Sequence, residues 1–169
     1  WSGMGIGMMP AKLTTMMVNM GISWLGEGVH TVYDPFAGFG TTGLITHHLW
    51  HHFVWSDINN TIIKANSEWL KTRPRYDEKL YFTTTKHDAT TAFEKWFMKN
   101  SNVIVTEGWL WPIVTKRLMP KVAEHQLMQV WQVYDKFIKQ VNNDWKNITV
   151  VISVPVYHFW KLEMYDVIT

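Results

Sequence analysis

The sequence predicts an α/β domain, doubly wound, with a mainly parallel sheet and helices on both faces. Two observations carry this. Short β-rich runs alternate with longer amphipathic ones from Val32 to Val156, the pattern of repeated strand–helix–strand units. The runs Val103-Ile104-Val105 and Ile148 to Val156 are almost wholly apolar, as strands covered on both faces are.

The elements follow in order. Val32-Tyr33 is a first strand, running into Asp34-Pro35-Phe36 and a glycine-bearing loop. Thr41 to Leu49 reads as a helix, and His52 to Asp57 as a second strand. Asn60 is placed to cap a helix that runs to about Lys71, with Ile62, Ile63, Ala65 and Leu70 for its buried face. A polar connection with Pro74 leads to a third strand, Leu80 to Thr85, which ends near Asp88. Thr91 to Lys99 reads as a short helix before the fourth strand at Val103. Ala123 to about Asn142 is the longest helix, since Val130, Val133, Tyr134, Phe137 and Val141 recur at helical spacing. Ile148 to Val156 is the fifth strand. In such sheets ligands sit outside the carboxyl ends of the strands, where strand order reverses. The residues to watch therefore lie just after each strand.

Composition narrows the class. The 169 residues suit one domain. Hydrophobic residues at 47% against 18% charged exclude a disordered chain. With no cysteine there is no disulfide, zinc ribbon or thiol nucleophile. A net charge of +2 tolerates a nucleic-acid partner without requiring one. The first residues lack a cationic start followed by a clean apolar run, and no stretch is apolar enough to span a bilayer. A soluble, cytoplasmic protein without membrane attachment is expected. The first residue is Trp1 rather than Met, which suggests a processed or partial chain.

Gly38-Phe39-Gly40-Thr41-Thr42-Gly43 matches G-x-G-x-x-G between a strand and a helix. Glycine lets backbone approach a ligand, and the helix start offers N–H groups. Two cofactor classes use such a loop. A nicotinamide site runs its strand straight into the first glycine and seats a pyrophosphate there. Here Asp34 stands at the strand tip, where a carboxylate would repel pyrophosphate and suit a ligand carrying positive charge. Asp57 closes the second strand, where an acid bonds ribose hydroxyls in either class or caps the next helix. Asp88 either receives an adenine amino group or caps the helix after it.

These residues resemble a known family. Met9-Pro10-Ala11-Lys12-Leu13, Asp34-Pro35-Phe36-Ala37-Gly38-Phe39-Gly40-Thr41-Thr42, Ser56-Asp57-Ile58-Asn59 with Ala65-Asn66, and His87-Asp88-Ala89-Thr90 are collinear with the motifs of class I S-adenosylmethionine-dependent methyltransferases. The resemblance is strongest to the branch of THUMP-type tRNA guanosine methyltransferases and amino-methylating nucleic-acid methylases. It implies a Rossmann-like fold with S-adenosyl-L-methionine as cofactor. Asp34, Gly38 and Gly40 would hold the methionine end, Asp57 the ribose and Asp88 the adenine. Lys12, Pro35, Phe36, Thr41, Ile58 and Ala89 would complete the cofactor site. Residues 1–30 would form a helical segment packing over it, and 31–169 the core. The substrate implied is an exocyclic amine of a base in RNA, tRNA guanosine first, or in DNA.

In enzymes that methylate such amines, the fourth strand usually ends in Asp or Asn, two prolines and an aromatic residue. Acceptors aimed at the amine N–H groups localise the lone pair, and the aromatic residue stacks on a base taken out of its helix. Here the strand ends Val105-Thr106-Glu107-Gly108-Trp109-Leu110-Trp111-Pro112. Glu107 stands at the acidic position and, with Thr106, forms the expected catalytic pair. Trp109, Leu110, Trp111 and Pro112 form the expected substrate contact. Against this stands a turn in which Trp merely fills a gap. Thr115-Lys116-Arg117 and Lys121 suit phosphate contacts or an ordinary solvated loop. Two rival functions stay open, a nicotinamide-dependent oxidoreductase and a non-catalytic scaffold that keeps the fold.

His47, His48, His51 and His52 form no metal site by pattern, because His52 should begin a strand and no carboxylate completes the set. Three of the eleven Trp stand where the family usually has glycine: Trp50 past a helix end, Trp55 before Ser56-Asp57, and Trp111 before Pro112. Trp50 predicts a strained left-handed cap. Trp55 predicts a crowded adenosine pocket. Too few residues follow the fifth strand for the C-terminal strands of the family, so the expectation is either a fragment or another chain or domain that completes the sheet.

Overall fold

The computed structural model describes residues 9–72, 79–108 and 120–154. Helix α1 (Ala11–Ser23) precedes β1 (Thr31–Asp34), α2 (Thr41–His48), β2 (His52–Asp57), α3 (Asn60–Lys71) and β3 (Phe82–Lys86). Then come α4 (Lys95–Asn100), β4 (Val103–Thr106), α5 (Pro120–Asp144) and β5 (Thr149–Ile152). The five strands form one sheet in the order β3-β2-β1-β4-β5, parallel at every pairing. Strand order reverses between β1 and β4, so the crevice of a doubly wound sheet opens between the tips at Asp34 and Thr106.

Alternation along the strands sorts the core into two layers. Tyr33, Val54 and Ile104 face α4 and α5, packing on Phe93, Phe97, Phe137, Val141 and Trp145. Val32, Val103 and Val105 face the other way, onto Met17 and Val18 of α1 and Ile45 of α2. Phe53 and Trp55 extend that second layer together with Ala37, Leu44 and Phe82. β1 and β4 are buried along their whole length, as strands covered on both faces are.

Some local boundaries differ from those the sequence predicts. The cap of α3 is Asn59, not Asn60: its Oδ1 accepts the N–H groups of Thr61 and Ile62 at 3.1 and 3.4 Å. Ala65 lies on the exposed face of α3, while Ile63 is buried. Helix α4 begins at Lys95 rather than Thr91. The Asp144 carboxylate takes the Phe93 N–H at 2.8 Å and Asp88 takes that of Thr90 at 2.9 Å, in the loop that precedes it. β3 starts two residues later than the pattern suggests, β5 is Thr149–Ile152, and α5 starts at Pro120.

Candidate functional site

The β1–α2 loop is built on two left-handed glycines, Gly38 at φ 47° and Gly40 at φ 76°. Four backbone contacts hold it. Ala37 N–H donates to the Ser56 carbonyl at 3.0 Å and Gly40 N–H to the Ala37 carbonyl at 2.7 Å. Gly38 N–H donates to Asp57 Oδ2 at 2.9 Å, and its carbonyl accepts the Asn66 side-chain amide. The two glycines differ in what surrounds them. A Cβ at Gly40 would strike the indole of Trp55, and one at Gly43 would lie 2.8 Å from it. A Cβ at Gly38 would meet nothing nearer than the Phe36 carbonyl at 3.8 Å. Gly38 therefore keeps an open face toward the crevice, while Gly40 and Gly43 are glycine to make room for Trp55.

That placement revises the expectation for Trp55. Its side chain is 1% exposed and packs edge-on to Phe53 beneath the loop, inside the core. It fills space vacated by two glycines, and its contacts are with the underside of the loop. Trp50 behaves as expected. It has φ 65° past the end of α2, the only positive φ among the described residues other than glycine.

Asp34 ends β1 and is 4% exposed. Its Oδ1 accepts the Thr106 hydroxyl at 2.6 Å and the Phe36 N–H at 3.0 Å, and the Thr42 side chain adds a further bond. Burial nevertheless pushes its carboxyl up to about 6, with Asp57 adding repulsion. Thr106 also accepts the Gly108 N–H at 3.0 Å, so one buried hydroxyl joins the tips of β1 and β4. Glu107 follows, half-buried. Burial and then the Asp34 charge raise its carboxyl to about 7. Two acids that repel one another thus stand on either side of the switch point.

Asp57 stays half-exposed at the tip of β2, accepting Gly38 N–H on one oxygen and Asn59 N–H at 2.8 Å on the other. A carboxylate has about four acceptor positions, so hydroxyl donors can still be received. Asp88 accepts both the N–H and the hydroxyl of Thr90. Burial alone would raise its carboxyl, but these bonds, with His87 and Lys136 nearby, take it below the ordinary value. It therefore organises its own turn. Ala89 is buried behind it, and Ile58 is exposed beside Asp57. Pro35 and Thr41 are buried at the two ends of the glycine loop, and Phe36 packs on Phe137. Lys12 is exposed in the first turn of α1. Trp109, Leu110, Trp111 and Pro112, with Thr115 to Arg117, lie outside the described residues.

The structure also brings in residues that the sequence reading passed over. Thr42 supports Asp34, while Tyr134 and Ser153 hold the Glu107 backbone. Ser153 had a signal, a hydroxyl interrupting an apolar run at a strand tip. Tyr134 had none, since its spacing matches an ordinary core position. Among the described residues no cluster of His, Asp and Glu could hold a metal ion, and no helix is long and apolar enough to cross a membrane.

No protein family and no curated protein matches the sequence. Solved structures do match. One is an S-adenosylmethionine-dependent methyltransferase from Methanosarcina mazei, with 14% identity and a TM-score of 0.52, covering 74% of this chain and 51% of that one. Another is the glycopeptide N-methyltransferase MtfA complexed with S-adenosyl-L-methionine, with 12% identity and a TM-score of 0.50, covering 79% and 50%. The same enzyme with sinefungin matches equally well, at a TM-score of 0.50. The chain spans about half the length of these structures. At such identity the likeness establishes the fold, a Rossmann-like sheet of the class I methyltransferase type.

Proposed function

We propose that this chain binds S-adenosyl-L-methionine and directs its methyl group to an amine. The observation that carries the reading is the pair of acids, Asp34 and Glu107, meeting at the switch point beside a glycine loop with one open face. Buried like charges are costly apart from a counter-ion, so a cationic ligand would relieve their repulsion. The residues suit this cofactor. Gly38 admits close backbone approach, Asp57 can accept ribose hydroxyls, and the acid pair favours an ammonium or sulfonium. When bound, the cofactor supplies an electrophilic methyl group on a positively charged sulfur. Pyrophosphate would meet repulsion at the same place, which speaks against a nicotinamide cofactor.

Glu107 is the acceptor for the substrate amine in this reading. Its half-exposed carboxyl, held near neutrality, can take an N–H bond and then a proton. Asp34 and Thr106 order the loop behind it. The finer reading is an exocyclic amino group on a nucleic-acid base, tRNA guanosine first, with Trp109 as stacking face. It rests on the sequence resemblance alone.

Calorimetric titration with S-adenosylmethionine and with NADH tests the cofactor. Micromolar binding of the first and none of the second is expected, and the reverse refutes the proposal. Transfer of labelled methyl to bulk tRNA and DNA tests the substrate, with Glu107→Gln as control. Cofactor binding without transfer to either would favour the scaffold reading.

A further inference from the structure

The backbone around Glu107 is held in an unusual way. Its carbonyl oxygen accepts the Ser153 hydroxyl at 3.1 Å and the Tyr134 hydroxyl at 3.3 Å. The Tyr134 hydroxyl is shared with the Ser153 carbonyl, also at 3.3 Å. Ser153 N–H in turn donates to the Thr106 carbonyl at 3.2 Å. The tips of β4 and β5 are therefore laced together by one tyrosine reaching across from α5. The ring of Tyr134 also lies under Gly108, which has φ 72°, and a Cβ there would come within 2.6 Å of Tyr134 Cε1. Tyr134 itself is buried.

Two consequences follow. A carbonyl oxygen has two lone pairs, and both of those on Glu107 are engaged. The acceptor that residue 107 offers a ligand is accordingly its side chain. The side chain is also denied an escape route. Gly108 cannot shift toward α5, because the tyrosine ring occupies that space, and the Glu107 peptide cannot turn without losing two hydroxyl bonds.

We propose that Tyr134, assisted by Ser153, is a positioning residue that keeps the Glu107 carboxyl turned into the crevice beside Asp34. The proposal rests on the reading of Glu107 as amine acceptor, but it makes a claim about the free protein that stands separately. With the lacing removed, the Glu107 peptide is free to turn and its carboxyl to swing toward water, away from Asp34.

The test is the titration of the Glu107 carboxyl by ¹³C NMR, assigned with Glu107→Gln, in the wild type, Tyr134→Phe and Ser153→Ala. Tyr134→Phe keeps the ring under Gly108 and removes only the hydroxyl. The Glu107 midpoint should fall from about 7 by about one pH unit toward the ordinary carboxyl value. With the acid pair dispersed, S-adenosylmethionine affinity should fall and kcat for methyl transfer should fall about tenfold. An unmoved Glu107 midpoint in Tyr134→Phe overturns the proposal. Should that variant not fold, an unmoved midpoint in Ser153→Ala does so. Failure of the wild type to bind S-adenosylmethionine would defeat the functional reading instead, and the NMR midpoints would still decide the role of Tyr134.

Discussion

Trp50 offers the cleanest test of the backbone reasoning. It occupies the position after the cap of α2 in a Schellman closure. His51 N–H donates to the Thr46 carbonyl and Trp50 N–H to the His47 carbonyl, both at 3.1 Å. The closure demands the left-handed region, and Trp50 meets it at φ 65°. An L-residue there is strained by about 1–2 kcal/mol, whereas glycine is not. Glycine costs roughly 0.5–1 kcal/mol more backbone entropy on folding. At this position Trp50→Gly should therefore be more stable than Trp50→Ala by about 0.5–1 kcal/mol. Both variants lose the same exposed indole, so that loss cancels in the comparison. At Ala65, exposed within α3, the order should invert, with glycine about 1 kcal/mol worse than alanine. Urea unfolding followed by far-UV circular dichroism measures all four proteins without relying on tryptophan emission. Trp50→Ala as stable as Trp50→Gly, with the Ala65 control behaving normally, would refute the argument.

Other outcomes follow from the buried acids and the core. Asp34 is raised from 3.8 to about 6, so folding favours its neutral form. The contribution of Asp34 should be full below about pH 4 and fall by about 3 kcal/mol as pH rises through 6, a part of the slope that Asp34→Asn removes in urea midpoints taken across pH while the part due to Glu107 stays. Binding a cationic ligand near pH 6.5 should expel about one proton from the acid pair, read as a binding enthalpy that depends on the buffer's ionisation heat. Thr106→Val leaves Asp34 without its shortest donor and should cost roughly 1–3 kcal/mol, with a further rise of the Asp34 midpoint by NMR. Trp55→Ala should cost about 3–5 kcal/mol by thermal or urea unfolding, because Gly40 and Gly43 cannot refill the space.

Much of this architecture was legible locally. Element order followed from periodicity, and β4 from an apolar run that only a doubly covered strand tolerates. The positive φ at Trp50 followed from where a helix must stop. What was not legible depended on long-range partners. The loop before α4 is held by the bond from Phe93 N–H to Asp144, a residue at the far end of α5 that no local pattern pairs with it. The consequence of Trp55 turned on which face of β2 it occupies and on the absence of side chains at Gly40 and Gly43. Tyr134 looked like one more apolar position of α5, since no local pattern shows where a phenol oxygen will end.

The two acids at the switch point illustrate why motif position and chemical role separate. Asp34 occupies the position where the motif places a ligand-binding carboxylate, yet its oxygens are committed to Thr106, Phe36 and Thr42, and almost none of it is exposed. A carboxylate so engaged acts on a ligand through its field and through the loop it orders. Glu107 is half-exposed, and its shift comes from burial and from Asp34. It is the member able to exchange a proton with something in the crevice. Removing the charge of Asp34 should therefore weaken ligand binding and loop order together, whereas Glu107→Gln should spare the loop and strike the step that needs an acceptor. The pairing works only while the two carboxyls stay close, and that closeness depends on Thr106 joining β1 to β4 and on Tyr134 and Ser153 holding the turn that follows.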